Sequence, residues 1–364
     1  MAKIYQIGSG MVGSTMALDL SKKHEVHLGD INPHQTKDIL KKNKSIKLYE
    51  VDASNYKSIA DFIQPADIVL LAIPGHLGFN ALKTIIECGK DVVDISFSSE
   101  DFLSLDYLAK RNKSTVIVDA GVAPGIPNYL LGYYDSKIEI DSFSYYVGGL
   151  PKLPKKPFNY KAPFSPIDVI EEYTRPARMM IDGSGIVKSA LSDIEIISFK
   201  EVGNLEAFNT DGLRSILSTM KHIPNMKEKT IRYPGHASLM KKYRDEGAFS
   251  SKRIKKTSNE LFNAWKLEEN EEEFTIMKII MTNKHQKVEY VLYDEYDKVL
   301  SQTSMSRTTG YTATASINLI LNKLFTDKGV YPPELVGKVD NCTKYVLNYL
   351  ENRKVSLHKN YINV

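Results

Sequence analysis

The sequence predicts an α/β fold. It has an N-terminal Rossmann dinucleotide-binding domain with a parallel sheet, an inserted α+β substrate and oligomerisation domain, and a C-terminal helix returning to the Rossmann domain. Three observations predict it. The chain opens on an apolar strand-like run, residues 3–7, then Gly8-x-Gly10-x-x-Gly13, then a helix-like stretch over 14–20. Short apolar runs then alternate with helical stretches as far as Asp119-Ala120-Gly121. Beyond about residue 130 the pattern becomes one of alternating, aromatic strands. The 364 residues exceed what one hydrophobic core usually supports. The expected division is therefore 1–130, completed by about 306–345, and 131–305.

Each element of the first domain ends where a ligand is expected. Gly8 suits the tight turn, Gly10 the close approach of backbone to a pyrophosphate, and Gly13 the contact of helix with strand. Met11 and Val12, between the glycines, are candidate cofactor contacts just before a helix whose unpaired N–H groups favour phosphate. A second strand over 25–29 ends in Asp30, about twenty residues beyond the motif, where a ribose 2′-hydroxyl acceptor belongs. Ile31 and Asn32 follow, with no Arg for a 2′-phosphate, which favours NAD over NADP. Further strands over 46–51, 67–73, 91–95 and 115–118 end in Asp52, Pro74-Gly75, Ser96-Phe97 and Asp119. In parallel sheets ligands sit beyond the carboxyl ends of strands. Asp52, Ala72, Pro74, His76, Ser96 and Phe97 are thus candidates for the cofactor crevice, although Asp52 and Pro74 serve equally as a loop cap and a turn.

In the second domain, 142–147 reads as an aromatic strand, 167–173 as a helix opened by Ser165-Pro166, and 274–281 with 287–293 as a hairpin. Ser306-Arg307-Thr308-Thr309-Gly310-Tyr311 then leads into a long helix over 312–325. The returning chain is expected to form a two-strand hinge, with cofactor and substrate meeting in the cleft. Arg307, Thr308 and Tyr311 lie at that hinge.

Composition narrows the classes of function. Hydrophobic residues make up 42% and charged residues 25%, the balance of a globular protein. Lys and Arg number 48 against 44 Asp and Glu, too small an excess for a nucleic-acid footprint. The basic run 252–256 is answered by the acidic run 268–273. Cys88 and Cys342 lack zinc or disulfide spacing, and His222 and His236 form no paired-His motif, so no metal is expected. No apolar stretch is long enough for a bilayer, and the expected compartment is the cytoplasm. A sheet-rich middle domain with exposed edges favours a homo-oligomer.

Several segments carry a specific resemblance. They are Val147-Gly148-Gly149-Leu150-Pro151, Tyr160-Lys161-Ala162-Pro163 continuing to Tyr173, Glu206-Ala207-Phe208-Asn209-Thr210-Asp211-Gly212-Leu213-Arg214, Arg232-Tyr233-Pro234-Gly235-His236, and Gly329-Val330-Tyr331-Pro332-Pro333-Glu334. Together they resemble the saccharopine dehydrogenase-like family over most of the chain, from Lys3 to about Glu334. The resemblance is strongest to members that oxidatively deaminate L-lysine at its ε-carbon with NAD. The implied product is 2-aminoadipate 6-semialdehyde, which cyclises. Other members run reductively, forming saccharopine or carboxynorspermidine from an imine, and fold alone does not choose among them. A non-catalytic NAD-binding protein is the reading from another class.

The implied chemistry assigns roles. A free alkyl ammonium titrates near ~10.4, so the ε-amine needs a base or a desolvating pocket before it can lose hydride. Asp119 is the candidate partner for the amine, or else caps its own turn. Lys161 is a candidate base or carboxylate ligand, and Tyr160 sits beside it. Asn209, Thr210 and Asp211 are candidates to line the substrate pocket, with Thr210 or Asp211 alternatively capping a helix from Gly212. Arg214, placed on the first turn of that helix against the dipole, is a candidate carboxylate ligand, as are Arg232 and Arg307. His236 is the candidate proton shuttle near neutral pH.

Overall fold

The computed structural model describes residues 1–33, 41, 43–163, 166–268 and 271–363. The expected cap Ser165 and the centre of the acidic run 268–273 lie outside the described residues. The chain divides into two compact units, Met1–Lys137 with Ser306–Lys354, and Ile138–Met305 with Val355–Val364.

The first unit is built on a parallel sheet. Its strands are β1 (Lys3–Ile7), β2 (Glu25–Asp30), β3 (Lys47–Glu50), β4 (Ile68–Leu71), β5 (Val92–Asp94), β6 (Thr115–Ile117) and, late in the chain, β15 (Gly329–Tyr331). They run in the order β15-β6-β5-β4-β1-β2-β3, every neighbouring pair parallel. The order reverses between β1 and β4, the switch point at which ligands bind in such sheets. Strand β4, Ile-Val-Leu-Leu, is buried at every position, as a strand covered on both faces requires. Ile7, Leu71, Ile85, Val92 and Val116 share its apolar core. Strand β15, which the sequence pattern did not announce, extends the sheet beside β6.

Two features of this unit depart from expectation. The first helix begins at Met11, three residues before the predicted start. The long helix runs Ser304–Leu321, eight residues earlier than predicted, so Arg307, Thr308 and Tyr311 are helical rather than parts of a loop. That helix packs on the first one: a Cβ on Gly310 would lie 3.1 Å from Met16 Cγ, and Thr15 Oγ1 bonds Ser306 Oγ at 3.0 Å. Buried Asp19 ties the contact to the C-terminal helix Asp340–Glu351. It accepts from Thr314 Oγ1 (2.8 Å), Tyr349 OH (2.8 Å) and Arg353 Nε (2.9 Å).

The second unit holds a mixed sheet of β7 (Ser142–Pro151), β8 (Ala177–Ile181), β9 (Ser184–Lys188), β10 (Glu195–Phe199), β11 (Gly203–Asn209), β12 (Asn225–Arg232), β13 (Glu273–Thr282), β14 (Gln286–Glu295) and β16 (Leu357–Asn363). The path is β10-β11-β12-β7-β13-β14-β16, with the β8–β9 hairpin joined to β12. Only the β12–β7 pair on this path is parallel. The β13–β14 hairpin is closed by Asn283, whose Oδ1 accepts from the backbone of His285 and Gln286. On β14 buried and part-exposed residues alternate, the mark of a strand covered on one face. Trp265, Tyr173, Phe208, Phe274 and Met240 form the centre of this unit's core.

Candidate active site

In the first unit the glycine motif forms a tight cradle. Gly8 has φ +102°, and a Cβ there would lie 2.0 Å from the Ala72 carbonyl oxygen. A Cβ on Gly13 would lie 2.4 Å from the Gly8 carbonyl oxygen. Gly10 differs: a Cβ there would meet nothing within 4 Å. The loop is thus packed on the protein side and open where a pyrophosphate would approach, at the N-terminus of helix Met11–Leu20. The residues present fit a nicotinamide dinucleotide. Exposed Met11 and part-buried Val12 lie on that first turn.

Asp30, at the end of β2, is held toward the cradle. Its Oδ2 accepts from Ser9 N (2.8 Å) and Ser9 Oγ (2.5 Å), and its Oδ1 from Asn32 N (3.0 Å). The far wall lies at the ends of β4 and β5. A Cβ on Gly75 would sit 2.3 Å from the Phe97 carbonyl oxygen, and one on Gly78 would sit 2.0 Å from Ser96 Oγ. Pro74 caps the helix Gly75–Glu87, and His76 is exposed on its first turn. Ser96 donates its backbone N–H and its hydroxyl to Asp94 at the end of β5. The structure thus brings Gly8 to Ala72 and brings Ser96 and Phe97 to the start of that helix. Asp52 accepts from Ser54 N and Oγ, which also hold its carboxyl below the usual range. Its carboxylate closes its own turn rather than reaching across the loop.

Asp119 is buried at the end of β6 in a left-handed conformation, φ +54°. Asp is among the few residues that tolerate that region. The turn after it closes tightly, since a Cβ on Gly125 would lie 1.8 Å from the Gly121 carbonyl oxygen. Thr308 and Tyr311 are buried within the first unit, and Arg307 Nη2 donates to the Arg353 carbonyl at 3.1 Å. These three residues lie inside helix Ser304–Leu321, just after the boundary of the units at Met305, rather than in a loop.

The second unit gathers most of its predicted residues around β12. Period-2 alternation puts Met226, Glu228, Thr230 and Arg232 on one face, and all four are buried. Arg232 Nη2 donates to Glu172 Oε2 at 2.6 Å and Nη1 to the Ile231 carbonyl, and the guanidinium lies 4.3 Å from the Tyr160 ring centroid. Burial raises the Glu172 carboxyl, against the pull of Arg232. Glu228 Oε2 accepts from Thr210 Oγ1 (2.6 Å) and Gly212 N (3.0 Å). Burial, reinforced by the charge of Glu172, pushes the Glu228 carboxyl up to about 8.

This arrangement engages several of the candidate residues with other groups of the protein. His236 is fully buried, with Nε2 2.9 Å from Tyr173 OH and Nδ1 2.7 Å from the Phe158 carbonyl. Burial, and then the Arg232 charge, lower it to about 3. The imidazole is therefore neutral at physiological pH and cannot shuttle a proton there. Asn209 Nδ2 bonds Ser192 and Asp193, Thr210 bonds Glu228, and Asp211 takes a bidentate fork from Arg178 at 2.9 Å. The run thus anchors turns and the β8–β9 hairpin, and no helix begins at Gly212 for Thr210 or Asp211 to cap. Lys161 Nζ donates to the Lys266 carbonyl at 2.7 Å and lies 3.8 Å from Glu271. Arg214 precedes the short helix Ile216–Thr219 in a left-handed conformation, φ +48°, so the conflict with a helix dipole disappears. Tyr160 stands apart. Its hydroxyl is buried without a hydrogen-bond partner, and burial raises the phenol well above its usual value.

Gln6, Ser9, Glu172, Tyr173 and Glu228 were missed. Gln6, a polar residue in the apolar strand Lys3–Ile7, and Ser9, inside the glycine motif, carried a signal, whereas Glu172 and Glu228 stand among other charged residues in their elements and carried none.

Among the described residues no group of His, Cys, Asp and Glu could hold a metal ion, and no helix is long and apolar enough to cross a membrane. Comparison with known proteins places these two units. Residues 4–117 match the saccharopine dehydrogenase NADP binding domain, and residues 121–355 match the saccharopine dehydrogenase C-terminal domain. An alpha-aminoadipic semialdehyde synthase of Arabidopsis thaliana is 24% identical over 250 residues, 64% of this chain and 24% of its own length. The Saccharomyces cerevisiae saccharopine dehydrogenase [NADP(+), L-glutamate-forming] is 23% identical over 279 residues, 71% of this chain and 60% of its own. The matched region thus spans about a quarter of the plant relative and three fifths of the yeast one. The solved apo structure of the L-Glu-forming saccharopine dehydrogenase from the same yeast has the same fold, with TM-score 0.79 at 17% identity over 100% of both chains. With its nicotinamide-dinucleotide-binding domain and its second domain both matched, the chain belongs to the saccharopine dehydrogenase family.

Proposed function

We propose that the protein is an NAD-dependent lysine 6-dehydrogenase, oxidising L-lysine at its ε-carbon to 2-aminoadipate 6-semialdehyde with release of ammonia. One observation carries the choice within the family. Three basic side chains of the second unit that could serve a polycarboxylate are engaged internally: Arg232 by Glu172, Arg178 by Asp211, Lys161 by the Lys266 carbonyl. Saccharopine brings three carboxylates, lysine only one, and one carboxylate asks for one guanidinium fork. Arg214, in the run that carries the family resemblance, is proposed for it on that ground, and not as an unengaged cation.

Asp30 supports NAD. A 2′-phosphate would meet a carboxylate already fixed by Ser9 and Asn32, with like charges forced together. When bound, the nicotinamide accepts the hydride. Asp119 is proposed to hold the substrate amine, its buried carboxylate favouring an approaching ammonium. Tyr160 is proposed as a neutral hydrogen-bond donor to the substrate, since its phenol stays protonated. The amine reacts in its neutral form, so the rate rises toward alkaline pH. Water then adds at the oxidised carbon and ammonia leaves, which balances the reaction.

The second reading is an NADPH-dependent imine reductase forming saccharopine or carboxynorspermidine. The NADP-binding family model and the name of the yeast relative favour it. Purified protein is mixed with L-lysine and NAD⁺ at alkaline pH, and NADH absorbance is followed. Parallel mixtures hold NADP⁺, L-ornithine or saccharopine. NADH formation with lysine is the expected result. Signal with saccharopine alone, or NADPH consumption with an aldehyde and an amino acid, moves the protein to the reductase reading. Silence everywhere with cofactor binding intact leaves a non-catalytic binder.

A further inference from the structure

We infer that Gln6 is a positioning residue for the dinucleotide, its side-chain amide clamping both ends of the glycine loop into the curve that receives the phosphates. Gln6 lies in β1, the central strand at the switch point, in register with Leu28 of β2 and Leu70 of β4. Aliphatic residues occupy the matching positions on both neighbours. The Gln6 side chain is fully buried all the same. Its Nε2 donates to the Gly8 carbonyl at 2.8 Å and to the Gly13 carbonyl at 2.7 Å. Those two carbonyls bracket the loop that holds Gly10. The orientation of the amide follows from its partners, since a reversed amide would face two carbonyl oxygens with an acceptor.

The remaining atom gives the second observation. Gln6 Oε1 is buried and has no hydrogen-bond partner. An unmet buried acceptor is costly, and an aliphatic side chain at this position would avoid it. The position therefore carries the cost for the sake of the two donors. Neither donor serves the sheet, whose hydrogen bonds are made by backbone. Both serve the loop. The contacts also explain why Gly13 needs to be glycine: a Cβ there would lie 2.4 Å from the Gly8 oxygen and 3.1 Å from Gln6 Nε2, inside the clamp.

The inference rests on nicotinamide dinucleotide binding and not on the lysine reading. The test is made on the whole chain by titrating NADH and NADPH, followed by the fluorescence of the reduced nicotinamide, with hydrogen exchange of the apo protein alongside. The variant Gln6→Met keeps the volume and removes both donors and the orphaned acceptor. We expect its dissociation constant for the preferred cofactor to rise about tenfold. We also expect faster apo exchange at residues 9–14, with the β4 amides as protected as before. Gln6→Asn keeps an amide one methylene shorter, which cannot span both carbonyls, and is expected to show the same loss. Wild-type affinity in either folded variant overturns the inference. So does an affinity loss accompanied by faster exchange throughout the sheet, or failure of both variants to fold, since these mark a general structural role. Failure of the wild type to bind either cofactor would overturn the inference and the proposed function together.

Discussion

The cradle around Gly8–Gly13 and the buried cluster around Arg232 use polar groups in opposite ways. The cradle spends its polar atoms on shaping a loop and leaves one side, at Gly10, open to a ligand. The Arg232 cluster turns its polar atoms on each other: Glu172, Arg232, Tyr173 and His236 form one connected set, and Glu228, Thr210 and Thr230 another. A motif that binds a common cofactor is thus built from backbone. The core of the second unit holds side chains whose charges must be matched inside the protein. Losing a side chain should therefore cost stability in the second region and affinity in the first.

The largest effect should come from Glu172→Ala. It leaves the buried Arg232 guanidinium without its carboxylate, and loss of one partner from a buried pair costs about 3–5 kcal/mol. Urea unfolding followed by circular dichroism measures it. A loss under about 1 kcal/mol would mean that Arg232 is hydrated and the comparison is wrong.

Next is a dependence of stability on pH. Glu228 is raised to about 8 from the ordinary carboxylate range, so the native state binds its proton more tightly than the unfolded chain. Its contribution is fully present below about pH 4.5 and is lost as pH rises toward 8. Glu228→Gln, isosteric with the protonated acid, should gain on the wild type by a few kcal/mol between those limits. A parallel pair of stability profiles would refute it. His236 works on the acid side. Its lowered value means stability is lost as pH falls from 6.5 toward 3.

The two glycines sharpen the comparison further. Gly8→Ala places a Cβ against the Ala72 oxygen at a positive φ and should cost about 1–3 kcal/mol of apo stability. Gly10→Ala should leave apo stability within about 0.5 kcal/mol and weaken cofactor binding severalfold, because only the ligand needs that space. Equal losses of stability would show that Gly10 is structural. Asp30→Ser should raise the affinity for NADPH relative to NADH about tenfold in paired titrations. The smallest effect is expected for Asp52→Ala. Its carboxylate serves only the Ser54 turn, so cofactor affinity should stay within about twofold.

The sequence by itself determined the first region and the class of the fold. A glycine motif between strand and helix, and an acid at the end of the next strand, are local features set by backbone sterics and by charge at a helix terminus. Gly8 makes the tight turn and Gly13 the close helix contact expected of them, and Asp30 ends β2. The family resemblance is legible in runs such as 160–173 and 232–236, whose residue types and order are local features of the sequence.

Only the tertiary structure decided which side chains are already engaged. Asp211, Lys161 and His236 look like site residues in one dimension. They meet Arg178, the Lys266 carbonyl, and Tyr173 with Phe158, partners 33, 105, 63 and 78 residues away. Strand β15 and strand β16 were equally hidden, since three residues at 329–331 and a terminal segment become strands only through their pairing with β6 and β14. A side chain's protonation and its free valences depend on burial and on neighbours supplied by other elements. Those neighbours are set by packing, which the local pattern of residues does not contain.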